Sequence, residues 1–150
     1  MKVPIDYLNS IDINTEAMIN KIEKTLLAAR RICPEDIQSI YISDWVQTEG
    51  QRGYENLYLF TNTYIIESAN FSTDTNVNIE VTVLKDRVKY VMVKYNDYFK
   101  KANTDSRLSV TFLTNGGAFE LKGTKANCDK LIEVYDKYVK PNISKVPIPE

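Results

Sequence analysis

The spacing of apolar residues changes twice along the chain, and these two changes bound the fold more tightly than any other feature. Met18, Ile22, Leu26 and Ala29 recur every three or four residues, with Ile19 beside them, which is the period of one helix face. From Ile40 to Leu121 the period falls to two, the spacing of half-buried strands. It returns to the helical period at Cys128, Leu131, Ile132, Tyr135 and then Tyr138 or Val139. A helix, a long alternating middle and a closing helix predict a mainly β, α+β domain built from antiparallel strands.

Residues 1–13 read as a leader, because Pro4 and the mixed composition around it argue against a long regular element. The first helix is predicted over 14–32. Asn14 or Thr15 can cap it, Glu16 suits its positive end, and Arg30 and Arg31 suit its negative end. Cys33 and Pro34 stop it, since the residue before proline avoids the helical region.

Ile40 and Ile42 then share one face of a strand ending near Gln47, and residues 48–53 form a polar loop with two glycines. Strands are predicted from Tyr54 to Phe60 and, after a turn at Asn62, from Tyr64 to Ser68. A polar loop spans Asn70 to Asn76. Val77, Ile79, Val81 and Val83 alternate with polar residues in the next strand. Lys85-Asp86 is a turn. Val88 to Tyr95 is strongly β-prone, and Tyr90-Val91-Met92-Val93 is apolar on both parities, so both faces are expected to be covered. Residues 96–106 are polar. Leu108, Val110 and Phe112 alternate, Asn115-Gly116-Gly117 makes a hairpin turn, and Phe119 and Leu121 lie on the last strand. The second helix is predicted from Thr124, as cap, to Val139. Pro141 ends it and leaves an extended, mobile tail over 141–150.

A chain of 150 residues, 43% hydrophobic and 26% charged, is expected to fold as one domain with its own core over 14–140. Two cysteines far apart, Cys33 and Cys128, make no disulfide framework and read as free buried thiols of a reducing compartment. The first thirteen residues lack the pattern of a signal peptide, and no run approaches the ~18 apolar residues of a membrane span. The expected address is cytoplasmic.

The hairpin Asn115-Gly116-Gly117-Ala118-Phe119-Glu120-Leu121 and the helix Asn127 to Val139 close a set of seven strands. This order resembles the pleckstrin-homology-like domain, over about residues 36–140. The resemblance implies a seven-stranded antiparallel bent sandwich or barrel whose open end is closed by the C-terminal helix, here with an additional N-terminal helix. That helix would cover the outer face near Tyr90 to Val93 or make an oligomer contact. Family members place a tryptophan in the last helix, where this chain offers Tyr135 or Tyr138. Members that bind phosphoinositides carry several basic residues on the first two strands and their loop. This loop has Arg52 alone, opposed by Glu49 and Glu55, which argues against phosphoinositide as a ligand. The rival architecture is a helix on a curved sheet, as in cystatin-like or NTF2-like folds.

The absence of histidine removes Ser-His-Asp and Cys-His pairs, His-bearing zinc sites and the commonest general base. Two lone cysteines cannot make a four-thiolate zinc site. No glycine-rich phosphate or dinucleotide loop occurs, and Asn115-Gly116-Gly117 leads into a strand instead of the helix such loops need. No cofactor and no metal are therefore expected. Glu67 and Glu80 lie among apolar strand residues, where burial would raise a carboxyl; the simpler expectation turns them to solvent. Asp44 beside Trp45 reads as a surface pair.

Lys85, Arg87 and Lys89 share a parity and, with Lys94, Lys100 and Lys101 nearby, form a basic stripe beside Tyr90, Tyr95 and Tyr98. Such a stripe could hold a single nucleic-acid strand. A net charge of −1 favours a solvated edge instead, with lysines blocking unwanted pairing. The leading expectation is a non-catalytic binding or scaffold module acting through protein contacts or self-association. Its surfaces would be an open sheet edge and the face around Trp45, Tyr54 and Tyr58. The alternative is a pocket protein, an enzyme or small-ligand binder, using Glu67 or Glu80.

Overall fold

The computed structural model describes residues 1–46, 52–73, 75–100 and 103–145. The polar loop expected over 48–53 and the end of the tail fall largely outside them. Helices α1 (Ile5–Ser10) and α2 (Glu16–Ile32) precede seven strands. These are β1 (Ser39–Val46), β2 (Arg52–Phe60), β3 (Tyr64–Ser68), β4 (Glu80–Val83), β5 (Lys89–Lys100), β6 (Asn103–Thr114) and β7 (Gly117–Thr124). Helix α3 (Asn127–Val134) follows, widening into a π turn over Tyr135–Val139 and a short 3-10 turn over Lys140–Asn142.

The strands form two antiparallel sheets, β1-β2-β3-β4 and β5-β6-β7, which do not close into a barrel. Edges β1 and β7 meet through side chains instead of a ladder. The Tyr41 hydroxyl donates to the Lys122 carbonyl, and the Ser43 hydroxyl accepts from the Lys122 amide at 2.8 Å. Tyr58 reaches the Glu120 carbonyl at 3.2 Å. The Tyr41 hydroxyl needs Gly123 to lack a side chain, since a Cβ there would stand 2.6 Å from it.

Two cores result, and the four-stranded sheet serves both. Tyr41, Tyr58, Phe60 and Ile65 turn inward with Val110, Phe112, Phe119 and Leu121 of the second sheet, and α3 adds Cys128, Leu131 and Val134. Tyr138 from the π turn stacks on Phe60 at 5.1 Å. The π turn carries an extra residue per turn, and both Tyr138 and Val139 are buried there. On the opposite face Ile40, Ile42, Leu57, Leu59 and Ile66 pack against Ile22, Leu26 and Ala29 of α2. Alternation of two apolar sets on one strand is what burial on both faces requires.

Several sequence expectations need correction. The first thirteen residues do not trail free: Leu8, Ile11 and Ile13 are fully buried in the second core. Helix α2 covers β1–β3, not Tyr90 to Val93. The strand foreseen from Val77 begins only at Glu80, and Val77 is exposed. Thr124 does not cap α3; Ala126 stands at the cap position, and the Thr124 hydroxyl is spent on Asp44. Residues 142–144 belong to the fold, because Val88 donates to the Asn142 carbonyl at 3.1 Å and accepts from the Ser144 amide at 2.8 Å. The polar stretch from 96 onward is not a loop but the far end of a long hairpin, paired out to Lys100 and Asn103. Thr15 caps α2 as expected, accepting from the Met18 amide.

Candidate functional site: an open sheet edge

The structure does not bring Trp45, Tyr54 and Tyr58 to one exposed face. Ser43 stands opposite two residues, Glu55 and Asn56, since Ile42 pairs with Leu57 and Asp44 with Tyr54. This bulge shifts the parity of β2 between Tyr54 and Tyr58. Tyr58 is therefore buried in the first core, while Tyr54 packs on the second and its hydroxyl donates to the Ile11 carbonyl. Burial raises both tyrosine pKa values, so both hydroxyls remain neutral donors. Trp45 is half-buried and lies flat across Gly53, where a Cβ would stand 2.5 Å from its ring.

Asp44 is not a surface residue: it is fully buried. Its carboxylate accepts from the Thr124 amide at 3.0 Å, the Thr124 hydroxyl at 2.7 Å and the Asn127 amide at 2.8 Å. Arg52 Nε completes the set at 3.0 Å, and Nη1 of the same guanidinium reaches Asp12 at 3.3 Å. Asn127 donates further to the Ile42 carbonyl at 2.8 Å and accepts from the Tyr7 hydroxyl at 2.8 Å. Arg52, read from the sequence as an isolated loop cation, thus belongs to a buried cluster joining α1, β1, β2 and the β7–α3 junction. Both carboxylate oxygens of Asp44 and both side-chain polar atoms of Asn127 have partners within the protein, which marks the cluster as structural.

The basic stripe does not form as one strand face. Lys85 and Arg87 sit in the turn before β5, with Asp86 between them at φ +58°, while Lys89 lies on β5 and donates to Asn115 at 3.4 Å. Glu67 and Glu80 are cross-strand neighbours on β3 and β4 and share a depression of about 240 Å³. Glu80 is exposed. Glu67 is half-buried on the parity of Tyr58, and burial pushes its carboxyl above the usual range, with the Glu80 charge adding to the shift. Neither cysteine is bridged; Cys128 is buried, and Cys33 is half-buried. Among the described residues no group of three or more Cys, Asp or Glu is placed to hold a metal ion. Among the described residues no helix is long and apolar enough to cross a membrane.

Among the described strands β5, like β4, ends its sheet, and it carries most of the exposed large apolar side chains. It is an edge of its sheet, since β6 lies on one side of it and the described strands supply no neighbour on the other beyond the single bridge at Val88. Tyr90, Met92, Val93 and Tyr95 are 60%, 48%, 46% and 57% exposed, so the expectation of cover on both faces fails. A bulge separates this run from the bridge. Tyr90 and Val91 together oppose Phe112, and Tyr90 takes φ +54°, a conformation rare for an aromatic residue.

Beyond the bulge the two faces differ. Val91 packs on the first core, and Val93 and Tyr95 pair with the core residues Val110 and Leu108. The outer face carries three rows across the sheet: Met92-Thr111-Glu120, Lys94-Ser109-Lys122 and Asn96-Arg107-Thr124. With Trp45 and Val46 these rows line a groove of about 360 Å³. The sequence signal for this edge was the double parity of Tyr90-Val91-Met92-Val93. What it could not show was that Tyr90, Met92, Val93 and Tyr95 stay largely exposed. No protein-family model matches this chain, and no curated protein or solved structure matches it significantly.

Proposed function

We propose that this protein is a non-catalytic binding module that holds protein partners by adding their strands to the β5 edge. The observation that carries this reading is the exposed apolar run Tyr90 to Tyr95 on a strand that has β6 as its one neighbour among the described strands. Such an edge offers unpaired backbone donors and acceptors, and proteins normally protect it with charge, bulges or cover. Here the bulge at Tyr90 protects only its start. The backbone at Val88 already pairs with residues 142–144, so the stretch offered to a partner begins beyond that bridge. An added strand would gain ladder hydrogen bonds and apolar contact on alternate side chains. The sheet order, with four strands followed by three and a helix closing the first core, also fits the pleckstrin-homology-like bent sandwich, which we propose as the fold family. A cytoplasmic address belongs to the same proposal.

The test is selection of short peptides on the immobilised full chain, followed by mapping of amide chemical shifts. Enriched peptides should shift residues 90–97 and lose binding in Val93→Pro, with the melting curve checked for each variant. Enriched peptides that shift the turn at Lys85–Arg87 or the Glu67–Glu80 depression instead would overturn the reading. The second outcome would favour a pocket protein, whose one supporting observation is the raised carboxyl of Glu67 beside Glu80.

A further inference from the structure

The two faces of the β5 edge differ in chemistry, and that difference constrains the strand that can lie against it. A strand added to an edge places alternate side chains on opposite faces, about 4.5–5.5 Å from their neighbours across the ladder. On the outer face the central position is Lys94, which is exposed. Arg107 stands on the adjacent strand one row further on. Among the described side chains of β5 and β6 on this face there is no acid. Glu120 lies two strands in from the edge and is held by Lys122 at 3.2 Å. The described edge position on this face is therefore a cation, Lys94, and a second cation set opposite it would be repelled.

The inner face is the reverse. Val93 and Tyr95 are exposed apolar surface beside the covered Val91. Next to them the Asp97 carboxylate accepts from the Tyr95 hydroxyl at 2.8 Å. An acid on this face would meet Asp97, whereas an apolar side chain would extend the first core outward. We propose that the strand accepted by β5 alternates acidic and apolar residues, with an acid opposite Lys94 and apolar residues beside Val93 and Tyr95. This rests on the strand-addition reading above and names the chemistry of its partner. A second copy of β5 is a poorer occupant. Its own outer row is Met92, Lys94 and Asn96, which brings no acid to Lys94.

The probes are three fluorescein-labelled eight-residue peptides, alternating valine with glutamate, with serine or with lysine. Fluorescence polarisation would be read on the full chain and on Lys94→Glu. The glutamate peptide should bind about tenfold more tightly than the lysine peptide, with serine between them, because an attractive pair replaces a repulsive one. Raising the salt should shrink the difference. Lys94→Glu should invert the order while leaving the melting curve near that of the parent. Equal binding of all three, or an order unchanged in Lys94→Glu, would overturn the alternating-acid inference and leave strand addition standing. Self-association of the chain that blocks the peptides would assign the edge to a second copy and likewise overturn it. If no peptide binds or shifts the β5 amides, the strand-addition reading fails as well.

Discussion

Asp44 illustrates how one residue can tie distant parts of a chain together. It is fully buried yet ion-paired to Arg52 and hydrogen-bonded to Thr124 and Asn127. Taking a carboxylate out of water is costly, and only such a complete set of partners offsets it. Asp44→Ala should therefore cost about 3–5 kcal/mol, because Arg52 and three hydrogen-bond donors lose their acceptor together. Urea melts would measure it, and a loss below ~1 kcal/mol would mean that the cluster does not form as described. The parity of Asp44 was legible: it follows Ile40 and Ile42 at two-residue spacing on their face. The partners that allow burial lie about eighty residues away at the β7–α3 junction, and no local pattern announces them. Glu67 gives a prediction of pH dependence. Burial is the main cause that raises its carboxyl, so the folded chain holds that proton more tightly than the unfolded chain. Its effect on stability is absent below the ordinary carboxylate range and becomes a penalty as pH rises through the raised value. Glu67→Gln should then stabilise the protein at neutral pH, and the gain should vanish in acid. Thermal melts across pH would check this, and a gain of the same size at every pH would contradict it.

At the scale of elements, α3 and β5 make opposite demands on packing. Leu131 is fully buried at the centre of α3. Leu131→Ala should leave a cavity and cost about 2–5 kcal/mol in urea melts. Its neighbour Lys130 is not a bystander on the solvent face. Its ammonium stands 5.3 Å from the centre of the Tyr7 ring and 3.7 Å from Glu133, so Lys130→Ala should cost about 0.5–1 kcal/mol. Equal losses at the two positions would mean that α3 is docked on another face. On β5, Tyr90 holds a left-handed backbone while its side chain is largely exposed. Tyr90→Gly should stabilise the fold by up to about 1 kcal/mol, since glycine adopts this conformation without the Cβ penalty. Destabilisation in a melt would show that the ring contributes more to packing than its exposure implies. The elements themselves were largely legible: the cap at Thr15, the stop at Pro34 and the turns at Asn62, Lys85-Asp86 and Asn115-Gly116 all fall where local chemistry places them. The bulges in β2 and β5 were not. Each inserts a residue without a glycine to mark it, and each resets the faces of everything beyond. That is why the surface expected around Tyr54 and Tyr58 dissolved. The far end of the β5–β6 hairpin was missed for another reason: its strands run on with polar residues, so no hydrophobic period reports it.

For the whole molecule, the four-stranded sheet is the shared wall of two cores, and the N-terminal helices are structural. Removing residues 1–33 would uncover Ile40, Ile42, Leu57, Leu59 and Ile66 together. The truncated chain should aggregate, as gel filtration would show; a monomer with an unchanged melting temperature would refute the second core. With one face of the first sheet under α1 and α2 and the other under the second sheet, most of the exposed apolar surface on the described strands lies along β5, with Val83 and Leu113 as the others. We propose that this edge is open in the free protein and filled by a partner strand. Residue-resolved amide hydrogen exchange, recorded with and without a saturating selected peptide, tests it most directly. Alternate amides over 91–97 should exchange rapidly in the free chain and become protected on binding, with little change in β1–β3. Amides of this stretch already protected in the free chain, or unprotected when the peptide is bound, would contradict it.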